Sequence, residues 1–195
     1  MKKHISRTIA LASTLALLAT TATLVAAQTS SQPYAGQQSR SIKAMSDDVV
    51  QGHLEGRGLG YAKAAELNHY PGPLHLRQLA SELDLNAEQL TRIAAFETEM
   101  KAEAKRLGRL VVEKERALDQ LFVTGRATAS QVTAATVEIG RTKGELRAVH
   151  LNAHIKVRPL LSTSQVQLYD RLRGYGEGGE HMMHGPGHDG SGMKH

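Results

Sequence analysis

Two five-residue helix-start signals, at residues 85–89 (LNAEQ) and 161–165 (LSTSQ), constrain the fold of this chain more than any other feature. In each, a small polar residue, Asn86 or Ser162, can accept hydrogen bonds from first-turn N–H groups, and the Gln three positions later can bond back to it. The preceding Leu can pack against the fourth helical residue as a hydrophobic staple. Each signal therefore predicts the N-terminus of a helix.

Between the two signals, apolar residues recur at spacings of three and four, which is the pattern of long amphipathic helices. The pattern predicts one helix over residues 87–122 and a second from after Thr128 to residue 160, with Gly125 between them. The apolar positions are Leu90, Ile93, Phe96, Met100, Leu107, Val111, Leu118 and Leu121 in the first run, and Val132, Ala135, Ile139, Leu146, Val149, Ala153, Val157 and Leu160 in the second.

The two runs predict an all-α fold built on a long antiparallel helical hairpin. Short flanking helices before and after the hairpin bring the predicted total to four to five helices. Because two helices cannot cover their own apolar faces, the flanking helices or a second subunit must do so. We therefore expect a homodimer.

Residues 1–27 have the three parts of a secretory signal peptide: a basic start, an apolar run over residues 9–24, and small residues ending at Ala27. A membrane anchor is the alternative, but the apolar run is short and is interrupted by threonines. We therefore expect export, cleavage after Ala27 and no transmembrane anchor in the mature protein.

The mature charge argues against a nucleic-acid partner. Cleavage removes three basic residues and no acidic one, which leaves 21 Lys and Arg against 19 Asp and Glu and lowers the net charge from +5 to +2. Without a concentrated basic block, strong binding to phosphates is not expected. The chain has no Cys, so neither disulfides nor thiolate chemistry is available.

The sequence predicts three regions after the signal peptide. Residues 28–45 are rich in Gln, Ser and Gly and predict a flexible leader. Ser46 can cap a first helix, and residues 46–173 predict the helical domain. Residues 174–195 predict a disordered tail rich in Gly, His and Met.

The tail contains candidate metal ligands. Imidazole and thioether groups suit copper, while zinc or nickel would be bound through the imidazoles. The alternative is a solubilising tail in which these side chains are incidental. The candidate ligands are His181, Met182, Met183, His184, His188, Met193 and His195.

A second candidate site lies in the second long helix. His150 and His154 are four residues apart, which places both rings on one helix face as a two-point metal clamp. Two ligands do not complete a site, so the alternative is that both rings simply border the hairpin seam. No cofactor is required by any feature of the sequence, and copper, zinc and nickel remain candidates.

The sequence does not indicate an enzyme. There is no Cys nucleophile, and no Ser lies in a strand-turn-helix elbow. The helix carboxylates alternate with basic residues rather than lying in an apolar stretch that would raise a pKa. We therefore expect a binding protein and nominate no catalytic residue.

Residues 74–175 resemble the periplasmic Spy/CpxP family, whose LTxxQ motif opens two helices of an exported, Cys-free helical chain. Relatives of the ZraP and CnrX types act in heavy-metal resistance. Asn86 and Ser162 stand where the motif has Thr, and both keep the capping chemistry. The resemblance implies an ATP-independent stress chaperone of the periplasm, a cradle-like dimer that binds unfolded exported proteins in the envelope stress response.

The resemblance also defines what else the chain could bind. It implies basic and apolar contacts to unfolded clients, and the local basic cluster that fits this role is Lys105, Arg106 and Arg109, unless those residues form an ordinary solvated face. The alternative function is a periplasmic sensor or sequestering protein for heavy metals. A membrane sensor kinase is a further partner that the resemblance allows.

Overall fold

The computed structural model of the protein describes residues 32–175. The chain separates into two units, residues 1–35 and residues 36–195. The described part of the first unit is a turn closed by a hydrogen bond from Ala35 N to Gln32 O of 2.8 Å. All that follows concerns residues 36–175. The predicted signal peptide lies outside the described residues.

The described part of the second unit is all-α, as predicted, and contains no strand. It has six α-helices rather than the predicted four to five, because glycines at 56–60 and a Pro-Gly-Pro at 71–73 divide the region before the first long helix into three short ones. None of these helices is long and apolar enough to cross a bilayer. The helices are α1 (Asp47–Glu55), α2 (Lys63–Glu66), α3 (Pro73–Gln78), α4 (Ala87–Val123), α5 (Ala129–Val157) and α6 (Thr163–Leu172), with a 3-10 turn (Arg158–Leu160) between α5 and α6.

Helices α4, α5 and α6 begin where the capping signals predict. Asn86, Thr128 and Ser162 each accept a hydrogen bond from the backbone N–H three residues on, and the Gln at that position bonds back to the cap residue. Helix α4 has 37 residues, which corresponds to about 55 Å at the rise of an α-helix. Pro159 ends α5 in the 3-10 turn.

Ion pairs join α4 to α5 along much of their length. Lys114 Nζ lies 2.9 Å from the Glu138 carboxylate, across a chain separation of 24 residues. Lys156 Nζ lies 2.6 Å from the Glu99 carboxylate, across 57 residues. The chain separation between paired residues therefore increases with their distance from the connection at residues 124–128.

Two apolar cores lie at different levels of α4. The first is formed with α1 and α5, and the second with α3, α6 and the end of α5. The first core contains Ile42, Met45, Val50, Ala104, Leu107, Val111, Val112 and Leu146. The second contains Leu76, Leu83, Leu85, Ile93, Val157, Leu161, Val166 and Tyr169.

The prediction of a flexible leader over residues 28–45 is wrong at its C-terminal end. Ile42 and Met45 are buried in the first core. The backbone N–H of Lys43 donates to the Asp119 carboxylate of α4 at 3.2 Å. Two apolar side chains in a polar stretch are enough to fix this segment, because they bury their surface against the long helices.

Helix α1 crosses α4 at a glycine. A Cβ atom at Gly108 would lie 2.0 Å from the carbonyl oxygen of His53, so only glycine permits the backbones to come this close. The crossing fixes where α1 lies on α4, and it places the His53 ring in the interior, where the residue is only 4 % exposed.

The two repeated helix starts contact each other through their glutamines. Gln89 Nε2 donates to Leu160 O at 2.7 Å and to Gln165 Oε1 at 3.0 Å. Gln165 Nε2 donates to Leu83 O and to Gln89 Oε1, both at 3.3 Å. Each amide therefore closes its own capping box with its oxygen and binds across to the other helix start with its nitrogen. We call this arrangement the glutamine clasp.

The clasp predicts that glutamate cannot replace glutamine at position 89. Gln89→Glu keeps the carbonyl-type acceptor of the capping box but removes the donor to Leu160 O and Gln165, and it brings an anion towards two acceptors. We expect the free energy of unfolding to fall by about 1–3 kcal/mol, since a half-buried acceptor is left unpaired. Urea denaturation measures this change.

The third capping box supplies the control. Gln131 bonds back to Thr128 and, among the described residues, donates to no other helix. Gln131→Glu should therefore change the free energy of unfolding by no more than about 0.5 kcal/mol. Equal effects of the two substitutions would show that the clasp contributes no stability of its own.

Candidate functional site

A layer of polar side chains separates the two cores. On α5, His150 and His154 lie between Leu146 of the first core and Val157 of the second, and both histidines are buried. On α4, buried Glu97 lies at the same level and accepts a hydrogen bond from Arg77 at 2.8 Å. Three of the buried polar residues of α4 and α5 thus lie between the two cores, while Glu115 and Thr142 lie further along the helices.

Glu66, in the short helix α2, is the centre of this layer. The hydroxyl of Tyr169 in α6 donates to its carboxylate, and the hydroxyl of Tyr175 lies 3.4 Å from the same oxygen. His75 Nδ1 lies 3.4 Å and His154 Nδ1 3.6 Å from the carboxylate. One carboxylate therefore contacts side chains of α3, α5 and α6 and of the segment that follows α6.

These contacts set the protonation states of Glu66 and Tyr169. Burial would raise the pKa of the Glu66 carboxyl, but hydrogen bonds from His75 and Tyr169 and the attraction of His154 outweigh burial, so that pKa is lowered. Burial and the adjacent carboxylate raise the pKa of the Tyr169 hydroxyl. At neutral pH Glu66 is therefore an anion and Tyr169 is its donor.

The predicted histidine clamp is divided between two roles. His154 Nδ1 is 2.7 Å from Tyr70 O and belongs to the Glu66 layer. His150 is only 3 % exposed, its ring stacks on Tyr61 with centroids 5.9 Å apart, and its Nε2 has no hydrogen-bond partner among the described residues. Within residues 32–175, no group of three or more His, Asp or Glu is placed to hold a metal ion.

His150 is uncharged at neutral pH. Burial, and then the nearby His154 and His53, lower the pKa of His150 to about 4. Burial and the charge of Lys143 also lower the pKa of His53, against a smaller opposing effect of Glu115. Neither ring has a carboxylate partner, so a proton on either would be a buried, unpaired charge.

The three residues of the predicted basic cluster have different surroundings. Arg106 forms a two-pronged ion pair with Glu103, at 2.6 and 2.8 Å. Lys105, one residue earlier, faces a cleft beside α1. Arg109 is exposed and has no acidic partner among the described residues. Adjacent helical positions differ by about 100° around the axis, so Arg106 points away from Lys105, whereas Arg109 lies one turn from Lys105 on the same side of α4.

An open groove of about 330 Å³ lies between α4 and α5. Its apolar lining includes Phe96, Met100 and Ile155, and Ile155 is 56 % exposed. Its charged lining includes Glu99 and Lys156, which pair with each other at 2.6 Å. The groove therefore offers apolar contact beside charges that are already neutralised.

A larger cleft of about 610 Å³ lies next to the groove around α4. The end of α1 and the chain through α2 and α3 form one wall, and α4 and α5 form the other. His150, His154 and Glu66 line it, so the cleft opens onto the polar layer. Met100 borders both surfaces.

The candidate ligands of the tail, His181 to His195, lie outside the described residues. Gly174 and Tyr175, the first two residues of that predicted tail, are described, and Tyr175 contacts the Glu66 layer. The predicted disordered tail therefore does not begin at residue 174.

Sequence reasoning missed the residues that form the layer. Glu66 lies in a four-residue helix, where a glutamate normally suggests an exposed position, and His75 has no neighbouring ligand in the sequence. Only the aromatic Tyr169 in the middle of the last helix signalled a buried position.

Comparisons with known proteins gave no match to a family model, to a curated protein or to a solved structure.

The buried histidines predict a loss of stability in acid. The unfolded chain takes up a proton at His150 near its ordinary pKa of 6.5, whereas the folded chain does so only near about 4. Between those values the unfolded state binds more protons, so the free energy of unfolding falls as the pH is lowered through this range. Above about pH 6.5, His150 is mostly unprotonated in both the folded and the unfolded state, so the full free energy of unfolding is retained there.

His150→Phe keeps a ring against Tyr61 and removes the titrating group. We expect the variant to lose about 2 kcal/mol less stability than the native chain between about pH 7 and about pH 4.5. Urea denaturation of both proteins at both pH values measures the difference. His53 and the carboxylates titrate in both proteins, so an identical loss would exclude His150 as a source of the pH dependence.

Proposed function

We propose that this protein is a periplasmic, ATP-independent stress chaperone, and not an enzyme, that binds unfolded exported proteins. The observation that supports this proposal most is the groove between α4 and α5. An unfolded client presents mixed apolar and charged segments without a fixed shape. A surface that holds many such segments needs weak, adaptable contacts rather than a closed pocket.

The groove has the chemistry that such contacts need. Met100 has a flexible, polarisable side chain that adapts to different partners. Lys156 Nζ lies 5.6 Å from the centroid of the Phe96 ring, in a cation-π arrangement. Lys156 is also paired with Glu99, and both side chains are about half exposed, so a client carboxylate that displaces Glu99 leaves it in contact with water.

The proposal includes an antiparallel hairpin of α4 and α5 and a cradle-like homodimer. The growing chain separation of the α4–α5 ion pairs supports the hairpin. Phe122 and Val123 are each about three-fifths exposed, and such apolar surface beside the connection is available to a second subunit. Export to the periplasm rests on the signal pattern of residues 1–27.

A charge in the groove should impair client binding. Ile155→Glu places a carboxylate among Phe96, Met100 and Val149, where it would be desolvated by a bound apolar segment. We expect about fivefold or more of the variant to be needed for the same suppression of aggregation, the effect of losing about 1 kcal/mol per contact. Light scattering of a reduced, unfolding client at increasing chaperone concentration measures this.

Val137→Glu is the matched control. Val137 lies on the same helix and is 62 % exposed, but it does not line the groove. The same charge at this position should leave the suppression of aggregation within about twofold of the native value. The groove is not the client site if both variants act alike, and the chaperone proposal fails if the folded native protein leaves client scattering unchanged.

Metal sensing or sequestration is the second candidate, and the unpartnered Nε2 of His150 favours it. A buried imidazole nitrogen without a hydrogen bond is available to a metal ion, and His154 lies one helical turn away. The described residues supply no third ligand. The remaining ligands would have to come from outside them, and the histidines and methionines of the tail are the candidates.

Calorimetric titration with Cu²⁺ and with Zn²⁺ tests this second function. If His150 and the tail hold one ion together, His150→Phe and a variant with His181 and His184 both replaced by Ser should each weaken binding at least about tenfold. Metal binding no tighter than about millimolar by the unaltered chain would exclude a sensing or sequestering role.

A further inference from the structure

The cleft beside α1 carries positive charge that nothing in the described chain neutralises. Its acidic lining residues each have a basic partner. Glu55 pairs with Arg57 at 3.3 Å, and Glu97 pairs with Arg77 at 2.8 Å. Glu66 has Arg173 at 3.6 Å in addition to its histidine and tyrosine contacts.

Three lysines that line the same cleft have no such partner. Within residues 32–175, Lys63, Lys101 and Lys105 each make neither a hydrogen bond nor an ion pair through the ammonium group. The four other lysines of the described chain are all paired: Lys43 with Asp119, Lys114 with Glu138, Lys143 with Glu115 and Lys156 with Glu99. The unpaired lysines are thus concentrated at the cleft.

The end of α1 packs against α4 beside two of these lysines. Gly56, with a φ of +69°, ends α1 directly over α4, where an added Cβ would lie 3.1 Å from both Lys101 O and Lys105 Cγ. Lys101 and Lys105 are one helical turn apart and so share a face of α4. Their two ammonium groups can therefore contact one anionic head group together.

The rest of the cleft combines apolar surface with one unused polar atom. Leu59 and Leu74 are 38 % and 46 % exposed, and both line the cleft with Met100. His150 also lines it, and the Nε2 atom of this nearly fully buried ring has no hydrogen-bond partner. A buried polar atom without a partner costs stability unless a ligand or solvent satisfies it.

We propose that this cleft is a binding site for a small anionic amphiphile, a molecule with a carboxylate head and an unbranched apolar chain. Lys101 and Lys105 hold the head, and Leu59, Leu74 and Met100 contact the chain. The volume of about 610 Å³ lies within the range of small-ligand sites. The inference goes beyond the proposed chaperone function and does not depend on it.

Three probes of equal chain length separate the contributions of charge and apolar contact: decanoate, decanol and decyltrimethylammonium. Calorimetric titration of the folded, full-length protein should show one decanoate bound per chain. Decanol and decyltrimethylammonium should bind at least about tenfold more weakly, because neither gives the lysines an anionic partner. Decanoate should also shift the ring resonances of His150 in NMR spectra. Equal binding of the three probes, or no saturable binding of decanoate, would overturn the proposal.

Charge reversal on α4 supplies the second test, with a matched control on the same helix. Lys101→Glu combined with Lys105→Glu should weaken decanoate binding at least about tenfold. Arg92→Glu combined with Arg116→Glu makes the same change in net charge at two exposed residues of α4 that lie outside the cleft and more than two helical turns from Lys101 and Lys105.

The control variant should stay within about threefold of the native affinity. Circular dichroism before titration establishes that both variants are folded. If the two variants lose affinity equally, the anion responds to the overall charge of the protein and the cleft site is refuted.

Discussion

The burial of one carboxylate, that of Glu66, is the constraint on which the arrangement of the short helices depends. A carboxylate that is largely removed from water and has no partners would be destabilising. The neighbouring tyrosines, histidines and Arg173 offset that cost. They can do so only if α3, α5 and α6 stay in place. The short helices α2 and α3 have too few residues to be stable alone. Their position is therefore set by polar contacts to Glu66 as much as by the two apolar cores.

The same layer determines what the surface can bind. The groove and the cleft share Met100 and both lie beside the level of α4 and α5 where Glu97, His150 and His154 replace apolar residues. Polar side chains interrupt the core there, so the two long helices are not covered by a continuous apolar layer. The cleft thus opens where charged and polar groups lie between the two cores.

The sequence predicts where the helices begin, but not the contacts between residues that are far apart in the chain. Capping boxes at Asn86, Thr128 and Ser162 are local, so they locate the helix starts directly. The Gln89–Gln165 contact joins residues 76 apart and is invisible to any local pattern. The different directions of Lys105 and Arg106 could have been predicted from helical geometry, since neighbouring positions face different directions. The burial of Ile42 could not, because it depends on a surface that exists only after folding.

The connection at residues 124–128 lies away from every long-range polar contact described above. A Cβ at Gly125 would meet no atom within 4 Å, and Phe122 and Val123 beside it are exposed. Matched insertions of whole helical repeats on both sides of this loop would lengthen α4 and α5 by about 1.5 Å for each residue added to a helix. The length of these two helices can thus change in evolution without altering the two cores or the polar layer.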